Sequence, residues 1–286
     1  MQTDGTLGIV GGGTMGAGIA QAAAQAGAVC VVVEPDDASR ARGQQAMTHS
    51  WQKLDSKGKL PEDIEKLAGR VTWTERLDAL ADCDLIIEAI PEIREAKVEL
   101  FRQLDSVCAT DAILATNTSS IPIAALARST AHPSRIIGLH FFNPVPLMPL
   151  VEVIPSMLTD SSVVTRAEDF VRMRLAKQTI RAKDQAGFVV NAIFVPYLLS
   201  AIRAFENGVA SAEDIDTGMV GGCGMPMGPL ALCDLIGLDT MLLVADSLHA
   251  EYRDPATIAP PLLRRHVDAG WLGRKSGRGF YEYNSN

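Results

Sequence analysis

A short glycine-rich segment near the N-terminus has the residue types and spacing of a phosphate-binding turn. The hexapeptide Gly11–Gly16 fits the pattern GxGxxG, and it lies between an apolar run at 7–10 and an alanine-rich segment at 15–26. A strand, a glycine turn and a helix in this order bring backbone N–H groups and a helix N-terminus close to a pyrophosphate. The pattern therefore predicts five dinucleotide-binding residues: Gly11, Gly13, Thr14, Met15 and Gly16.

A carboxylate follows this turn at the end of the second predicted strand. Glu34 comes directly after the apolar run 29–33. A carboxylate at this point accepts hydrogen bonds from a ribose hydroxyl and repels a 2′-phosphate, which favours NAD over NADP. The glycine pattern alone also occurs in unrelated turns, but the strand, the helix and the acid together are typical of a dinucleotide site.

A second group of residues could move a proton. His140 ends the apolar run 136–139, and Glu152 interrupts the apolar run 150–154. Strand ends border the ligand crevice of open α/β sheets, and a carboxylate stabilises a neighbouring imidazolium. This is what a general base for an alcohol proton needs. Without the glycine turn, a structural histidine and a solvent-facing glutamate would be the more common explanation of the pair.

The elements that must position these residues indicate an α/β protein. Strand-like and helical segments alternate up to about residue 180, which predicts a Rossmann-like, doubly wound, parallel sheet. Long helical segments with few strands follow, and they predict an all-α C-terminal domain. We place the domains at 1–184 and 185–286, with a polar helical arm near 40–66 in the first.

Composition limits the classes of protein that remain. Apolar residues make up 47% of the 286 residues, enough for a sizeable core, yet no apolar run approaches the roughly 18 residues of a membrane-spanning helix. The net charge of −8 argues against nucleic-acid and membrane-surface binding. Five cysteines without a CxxC pair, and an N-terminus unlike a secretion signal, predict a cytoplasmic protein with reduced thiols.

Seven segments together resemble the 3-hydroxyacyl-CoA dehydrogenase family, in its short, single-function 3-hydroxybutyryl-CoA dehydrogenase type. The resemblance runs from about Leu7 to Tyr283. The segment GLHFFNPVPLMPLVEVI, residues 138–154, is the most specific of the seven. The others are GGGTMGAGIAQ from Gly11, IIEAIPE (86–92), TNTSSI (116–121), GFVVN (187–191), GPLALCDLIGLD (228–239) and GRKSGRGFYEY (273–283).

The resemblance implies roles for individual residues. His140 would be the general base for the 3-hydroxyl proton and Glu152 its carboxylate partner, with Ser119 and Asn191 as further catalytic residues. Ser119 and Asn143 would contact both substrate and cofactor. Glu92 and Lys97 would lie on the cofactor side, with Lys97 also near the substrate. Ser50 and Lys57, on the helical arm, would contact CoA.

The resemblance implies NAD-dependent oxidation of an (S)-3-hydroxyacyl-CoA, with no metal, by a homodimer formed through the C-terminal domain. Two other substrates stay open. The arm carries acidic residues among its lysines, which leaves room for a carrier-protein thioester, and a free hydroxy or sugar acid is a further alternative. A non-catalytic NAD-binding protein is disfavoured by the joint presence of His140, Glu152, Ser119 and Asn191.

Overall fold

A computed structural model describes residues 5–283, and the chain divides into two compact units after Gln185. The N-terminal unit is built on one eight-stranded sheet. Its strands are β1 (Leu7–Val10), β2 (Cys30–Val33), β3 (Val71–Thr74), β4 (Leu85–Glu88), β5 (Ile113–Thr116), β6 (Ile136–Phe141), β7 (Leu150–Pro155) and β8 (Gln178–Arg181). Their order across the sheet is β3-β2-β1-β4-β5-β6-β7-β8.

The strand order reverses beside β1, which pairs in parallel with both β2 and β4. Such a switch point opens a crevice at the carboxyl ends of the strands, where ligands of open α/β sheets bind. All four residues of β1, β4 and β5 are buried, as expected for strands covered on both faces. The sequence prediction of a Rossmann-like sheet is confirmed.

One strand departs from the predicted parallel arrangement. β7 pairs antiparallel to β6, with His140 opposite Glu152 in the register. The connection between them, residues 142–149, is too short for a parallel crossover, which needs about a dozen residues. The predicted parallel sheet therefore has one antiparallel pair, β6 and β7.

The two outermost strands, β3 and β8, were not identified from the sequence. In β8 the two end residues are exposed and the middle two are half-buried, and β3 has only one fully buried residue. Edge strands need no continuous apolar run, because part of their surface faces water. Hydrophobic patterning consequently gives little signal for them.

Helices cover the faces of the sheet, and one of them forms the arm. They are α1 (Thr14–Gln25), α2 (Asp37–Asp55), α3 (Ile64–Ala68), α4 (Arg94–Val107), α5 (Ile123–Ala127) and α6 (Ser161–Arg174). α2 buries only Gly43, Met47 and Trp51, a single stripe at four-residue spacing. A Cβ atom on Gly43 would lie 2.3 Å from the Gly12 carbonyl oxygen, so this glycine lets α2 pass close to the glycine turn.

The C-terminal unit is helical and has its own core. Its helices are α7 (Val190–Glu206), α8 (Ala212–Cys223), α9 (Pro229–Ile236), α10 (Leu238–Tyr252) and α11 (Pro261–Asp268). Ser211 caps α8 by accepting a hydrogen bond from the Asp214 N–H at 3.1 Å. Asp234 accepts hydrogen bonds from the backbone N–H groups of Phe280 and Tyr281, both at 3.0 Å, which docks the last segment of the described chain onto α9.

Among residues 5–283, no helix combines the length and the hydrophobicity needed to span a membrane.

Candidate active site

The glycine turn leaves an open space at the switch point of the sheet. Gly11 N–H donates to the Val33 carbonyl at 2.9 Å, which fixes the turn against β2. A Cβ atom on Gly13 would meet nothing within 4 Å, whereas one on Gly16 would lie 1.8 Å from the Gly11 carbonyl oxygen. The turn is thus tightly packed on its inner side and open on its outer side, next to the N-terminus of α1. This geometry fits a bound pyrophosphate.

Glu34 lies beside the turn, as its position in the sequence predicts. Its carboxylate accepts hydrogen bonds from the N–H groups of Gly12, at 2.8 Å, and Asp36, at 3.2 Å. These contacts hold a negative charge at the end of β2, where an adenosine ribose lies in Rossmann-like domains. A 2′-phosphate on that ribose would be repelled by the Glu34 carboxylate.

A cleft of about 400 Å³ extends from the glycine turn along the arm helix α2. It brings together four of the predicted residues, Gly13, Thr14, Ser50 and Asn143. Arg42 also lines it, although the sequence pattern did not single it out. Ser50 is oriented by Gln21 of α1, whose Nε2 donates to the serine Oγ at 2.9 Å.

Two strand residues, His140 of β6 and Glu152 of β7, form a connected chain of hydrogen bonds with Ser119, which lies in the loop after β5. His140 Nδ1 lies 2.6 Å from Glu152 Oε2, and His140 Nε2 lies 3.0 Å from Ser119 Oγ. The side chains of His140 and Glu152 are 5% and 0% exposed. With its Nδ1 held by a buried carboxylate, the imidazole is oriented so that Nε2 faces Ser119. This is the geometry of a positioned general base.

Hydrogen bonds to Glu92 hold the turn that carries Ser119. One Glu92 oxygen, Oε1, accepts hydrogen bonds from the N–H groups of Ser119 and Ser120, both at 3.1 Å, and from the Thr118 hydroxyl. Burial raises the pKa of Glu92, but the charge of Lys97 and the hydrogen bonds from the Thr118 and Ser120 hydroxyl groups outweigh it and hold that pKa below its ordinary range. An ionised Glu92 therefore organises the turn.

Lys97 is enclosed by carboxylates. Its Nζ lies 2.6 Å from Glu88 Oε1 and 3.1 Å from Glu92 Oε2, and its side chain is almost fully buried. Thr116 donates to the other oxygen of Glu88 at 2.7 Å. Burial raises the pKa of Glu88, while Lys97 opposes that shift. Glu88 was not singled out from the sequence, because a glutamate ending a buried strand gives no signal until the fold brings Lys97 and Thr116 onto its carboxylate.

Sequence comparison decides which family this arrangement belongs to. The profile of the 3-hydroxyacyl-CoA dehydrogenase NAD binding domain matches residues 6–185, and that of the C-terminal domain matches residues 187–283. This chain belongs to the 3-hydroxyacyl-CoA dehydrogenase family. Its N-terminal unit is an NAD-binding domain, and the protein is an oxidoreductase.

Individual relatives cover nearly the whole dehydrogenase chain. The 3-hydroxybutyryl-CoA dehydrogenase of Mycobacterium tuberculosis is 48% identical over 279 residues, which is 97% of this chain and 98% of the relative. The human mitochondrial hydroxyacyl-coenzyme A dehydrogenase is 41% identical and covers 96% of this chain and 90% of its own. The crystal structure of (S)-3-hydroxybutyryl-CoA dehydrogenase from Ralstonia eutropha has a TM-score of 0.92 at 43% identity and covers 99% of this chain and 100% of its own.

The remaining predicted residues of the dehydrogenase include Asn143, Asn191 and Lys57. Asn143 lies in the connection after β6, at a cis bond to Pro144, and faces the cleft. Asn191 is half-buried in the first turn of α7, within the C-terminal unit. Lys57 is exposed in the turn after α2, outside the residues that line the cleft. Their roles toward ligands stay predictions.

The TNTSS segment of the dehydrogenase contains a residue that sequence reasoning passed over. Asn117 Oδ1 accepts a hydrogen bond from the Phe141 N–H at 2.8 Å, directly after His140. Phe142 packs edge-on against the His140 ring, with centroids 4.7 Å apart. Asn117 and Phe142 therefore restrict the movement of the strand end and of the imidazole. The paired phenylalanines could have indicated the ring contact, whereas the asparagine partner lies 24 residues away in sequence.

Proposed function

We propose that this dehydrogenase oxidises short-chain (S)-3-hydroxyacyl-CoA, such as 3-hydroxybutyryl-CoA, to 3-oxoacyl-CoA with NAD, and catalyses the reverse reduction. The observation that carries the proposal is the chain from Ser119 Oγ through His140 to Glu152, within an NAD-binding unit. The named function of the similar proteins from M. tuberculosis and R. eutropha supports the same substrate.

His140 moves the proton in this proposal. Its Nε2 takes the proton of the 3-hydroxyl group during oxidation and returns one during reduction. Glu152, fully buried at Nδ1, stabilises the imidazolium that results. When bound, NAD accepts the hydride from C3. Ser119, whose Oγ already lies within hydrogen-bond distance of Nε2, would orient the substrate oxygen so that its proton faces the base.

The remaining predicted residues are proposed to bind ligands, apart from Asn191, which is proposed to act in catalysis. Asn143 and Ser50 face one cleft together with the glycine turn, and this supports their contact with ligand. Glu92 and Lys97 are proposed to act on the cofactor side through the Thr118–Ser120 turn that Glu92 holds. Asn191 is proposed as a further catalytic residue because it occupies the family's GFVVN segment.

The arm supplies the argument for CoA as the acyl carrier. Lys57 has no ion-pair partner among residues 5–283, and Arg42 lies at the cleft. A nucleotide with several phosphates would neutralise such cations. The arm also carries three acidic residues, Asp55, Glu62 and Asp63, which reduce its positive charge. A carrier-protein thioester therefore stays the second candidate for the substrate.

An absorbance assay of NADH consumption tests the substrate directly. Acetoacetyl-CoA, a longer 3-oxoacyl-CoA, an acetoacetylated carrier protein and free acetoacetate are compared at equal concentrations. We expect the highest kcat/KM with acetoacetyl-CoA. A higher value with the carrier protein or with the free acid would reject CoA as the carrier, and no turnover with any of them would reject the dehydrogenase proposal.

We also propose that the protein is a cytoplasmic homodimer formed through the C-terminal unit. The core of that unit buries Val195, Leu198, Leu199 and Met241. Other large apolar side chains of the unit are exposed: Ile193, Val209, Val220, Leu235 and Leu243. Burying them against a second copy would remove apolar surface from water. Light scattering at micromolar concentration should give twice the monomer mass, and a stable monomer would reject the proposal.

A further inference from the structure

Lys177, just before β8, is a buried cation with an unusual set of partners. Its exposed fraction is 8%, and its Nζ donates to the carbonyl oxygens of Val145 at 2.7 Å and Met148 at 2.6 Å. No carboxylate within the described range 5–283 pairs with it. A buried ammonium group without a negative partner is costly, and burial lowers the pKa of Lys177.

Both carbonyls belong to the connection between β6 and β7, residues 142–149, which we call the wall loop. Asn143, Pro144, Val145 and Pro146 of this loop line the cleft together with Gly13 and Ser50. The wall loop thus forms one side of the cleft that begins at the glycine turn.

The wall loop has few contacts of its own to hold its shape. The N–H groups of Leu147 and Met148 both donate to the Pro144 carbonyl, at 3.0 and 3.1 Å. Val145 is buried against α1, where a Cβ atom on Gly18 would lie 3.1 Å from Val145 Cβ. Leu147 and Met148, in contrast, are 67% and 38% exposed. Packing therefore fixes the start of the loop. Its last residue is held by the Gln178 N–H, which donates to the Pro149 carbonyl at 2.7 Å, and Leu147 and Met148 between these points have little packing.

Lys177 supplies the missing contact. Across residues 5–283 it is the hydrogen-bond donor to the carbonyls of both Val145 and Met148. Buried carbonyl groups need donors, and a single ammonium group can serve two at once. An apolar residue of the same length would fill the space but would remove the donor of both hydrogen bonds.

We propose that Lys177 is a positioning residue that clamps the two ends of the Val145–Met148 turn and so holds the cleft-lining part of the wall loop in its binding shape. The ligand side of this inference rests on the proposed function, because it assumes that the acyl thioester and NAD use this cleft. The clamp itself is a property of the protein without ligand.

Hydrogen exchange of the ligand-free protein tests the clamp. Lys177→Met keeps the aliphatic stem and removes the donors, and Lys177→Gln keeps two donors on a shorter side chain. The amides of Leu147 and Met148 should exchange at least about tenfold faster in Lys177→Met, and by an intermediate factor in Lys177→Gln. Lys183→Met, at an exposed lysine six positions on, is the matched control and should exchange at the wild-type rate.

Kinetics on the same variants test the consequence for binding. KM for acetoacetyl-CoA should rise roughly tenfold in Lys177→Met, less in Lys177→Gln and not in Lys183→Met. kcat should fall less than KM rises, because no reacting group is removed. If Lys177→Met does not fold, the Lys177→Gln protein carries both measurements.

The two proposals fail in different ways. Wild-type exchange rates at Leu147 and Met148 in a folded Lys177 variant would overturn the clamp, whatever the activity. Lower thermal stability with unchanged exchange at these amides and unchanged KM would also overturn it, since Lys177 would then serve the fold only. Absence of turnover in the wild type would reject the proposed substrate and leave the exchange result to decide the clamp.

Discussion

His140 and Glu152 are direct partners across the antiparallel strands β6 and β7, with Nδ1 and Oε2 2.6 Å apart. The antiparallel pairing places the two residues opposite each other in the register, so the contact needs no contribution from a flexible loop. The sheet itself thereby fixes which imidazole nitrogen remains available, and that nitrogen, Nε2, faces Ser119.

Replacing Glu152 by glutamine tests the electrostatic part of this arrangement. Glu152→Gln keeps the shape of the side chain, but a neutral amide stabilises the imidazolium less than a carboxylate does. We expect kcat to fall by at least about tenfold, equivalent to about 1.4 kcal/mol in activation free energy. The dissociation constant of NADH, measured by fluorescence, should stay within about twofold of wild type. An unchanged kcat would exclude Glu152 from proton transfer.

Cofactor preference depends on Glu34. Its carboxylate is fixed beside the glycine turn by the Gly12 N–H at 2.8 Å, so a 2′-phosphate on the ribose would be repelled. The wild type should have a higher kcat/KM with NADH than with NADPH. Glu34→Gln should lower the ratio of these two values by about tenfold. A wild-type preference for NADPH would contradict the role given to this carboxylate.

The arm is expected to contact the nucleotide part of CoA through Lys57. Lys57→Ala should raise KM for acetoacetyl-CoA several-fold, up to about tenfold, with kcat nearly unchanged, because one exposed charge contact contributes about 1 kcal/mol. The effect should shrink at high salt. Lys183→Ala, which removes the same charge elsewhere, is the control. If Lys57→Ala raises KM equally for acetoacetyl-CoA and for a truncated thioester without the nucleotide, the arm does not bind CoA.

A buried ion pair outside the site should govern stability at low pH. Asp105 and Arg135 are nearly fully buried, with Arg135 Nη2 2.8 Å from Asp105 Oδ1. Burial raises the pKa of Asp105, but hydrogen bonds from Arg135, the Ala131 N–H and His132 outweigh it, so the pKa lies below its ordinary value.

Since this carboxyl pKa is depressed on folding, its stabilisation is present above the unfolded pKa of about 3.8 and is lost as pH falls through the folded value. Asp105→Asn should lower the free energy of unfolding by about 3 kcal/mol at pH 7. The gap between the two proteins, measured by urea denaturation, should narrow below about pH 4. A gap that is independent of pH would contradict an ionised Asp105.

Local patterns in the sequence were sufficient to predict the glycine turn, Glu34 and the His140 strand, because strand, turn and helix follow one another directly. The direction of β7 was missed although the short connection 142–149 excludes a parallel crossover. Lys97 was predicted only through the family resemblance, and Lys177 was not predicted at all. Lysines are normally exposed, and the partner carbonyls of Lys177 lie 32 and 29 residues earlier in the chain. Contacts of this kind depend on the folded sheet and leave no periodic signal.

The most direct measurement compares wild type and His140→Gln with acetoacetyl-CoA and NADH. His140→Gln should lower kcat by roughly 10²- to 10⁴-fold, the usual contribution of a positioned acid–base group. NADH affinity should change little, because the glycine turn and Glu34 lie on other strands. A folded His140→Gln protein with near-wild-type kcat would contradict the account, since its proton transfer would then not pass through this imidazole.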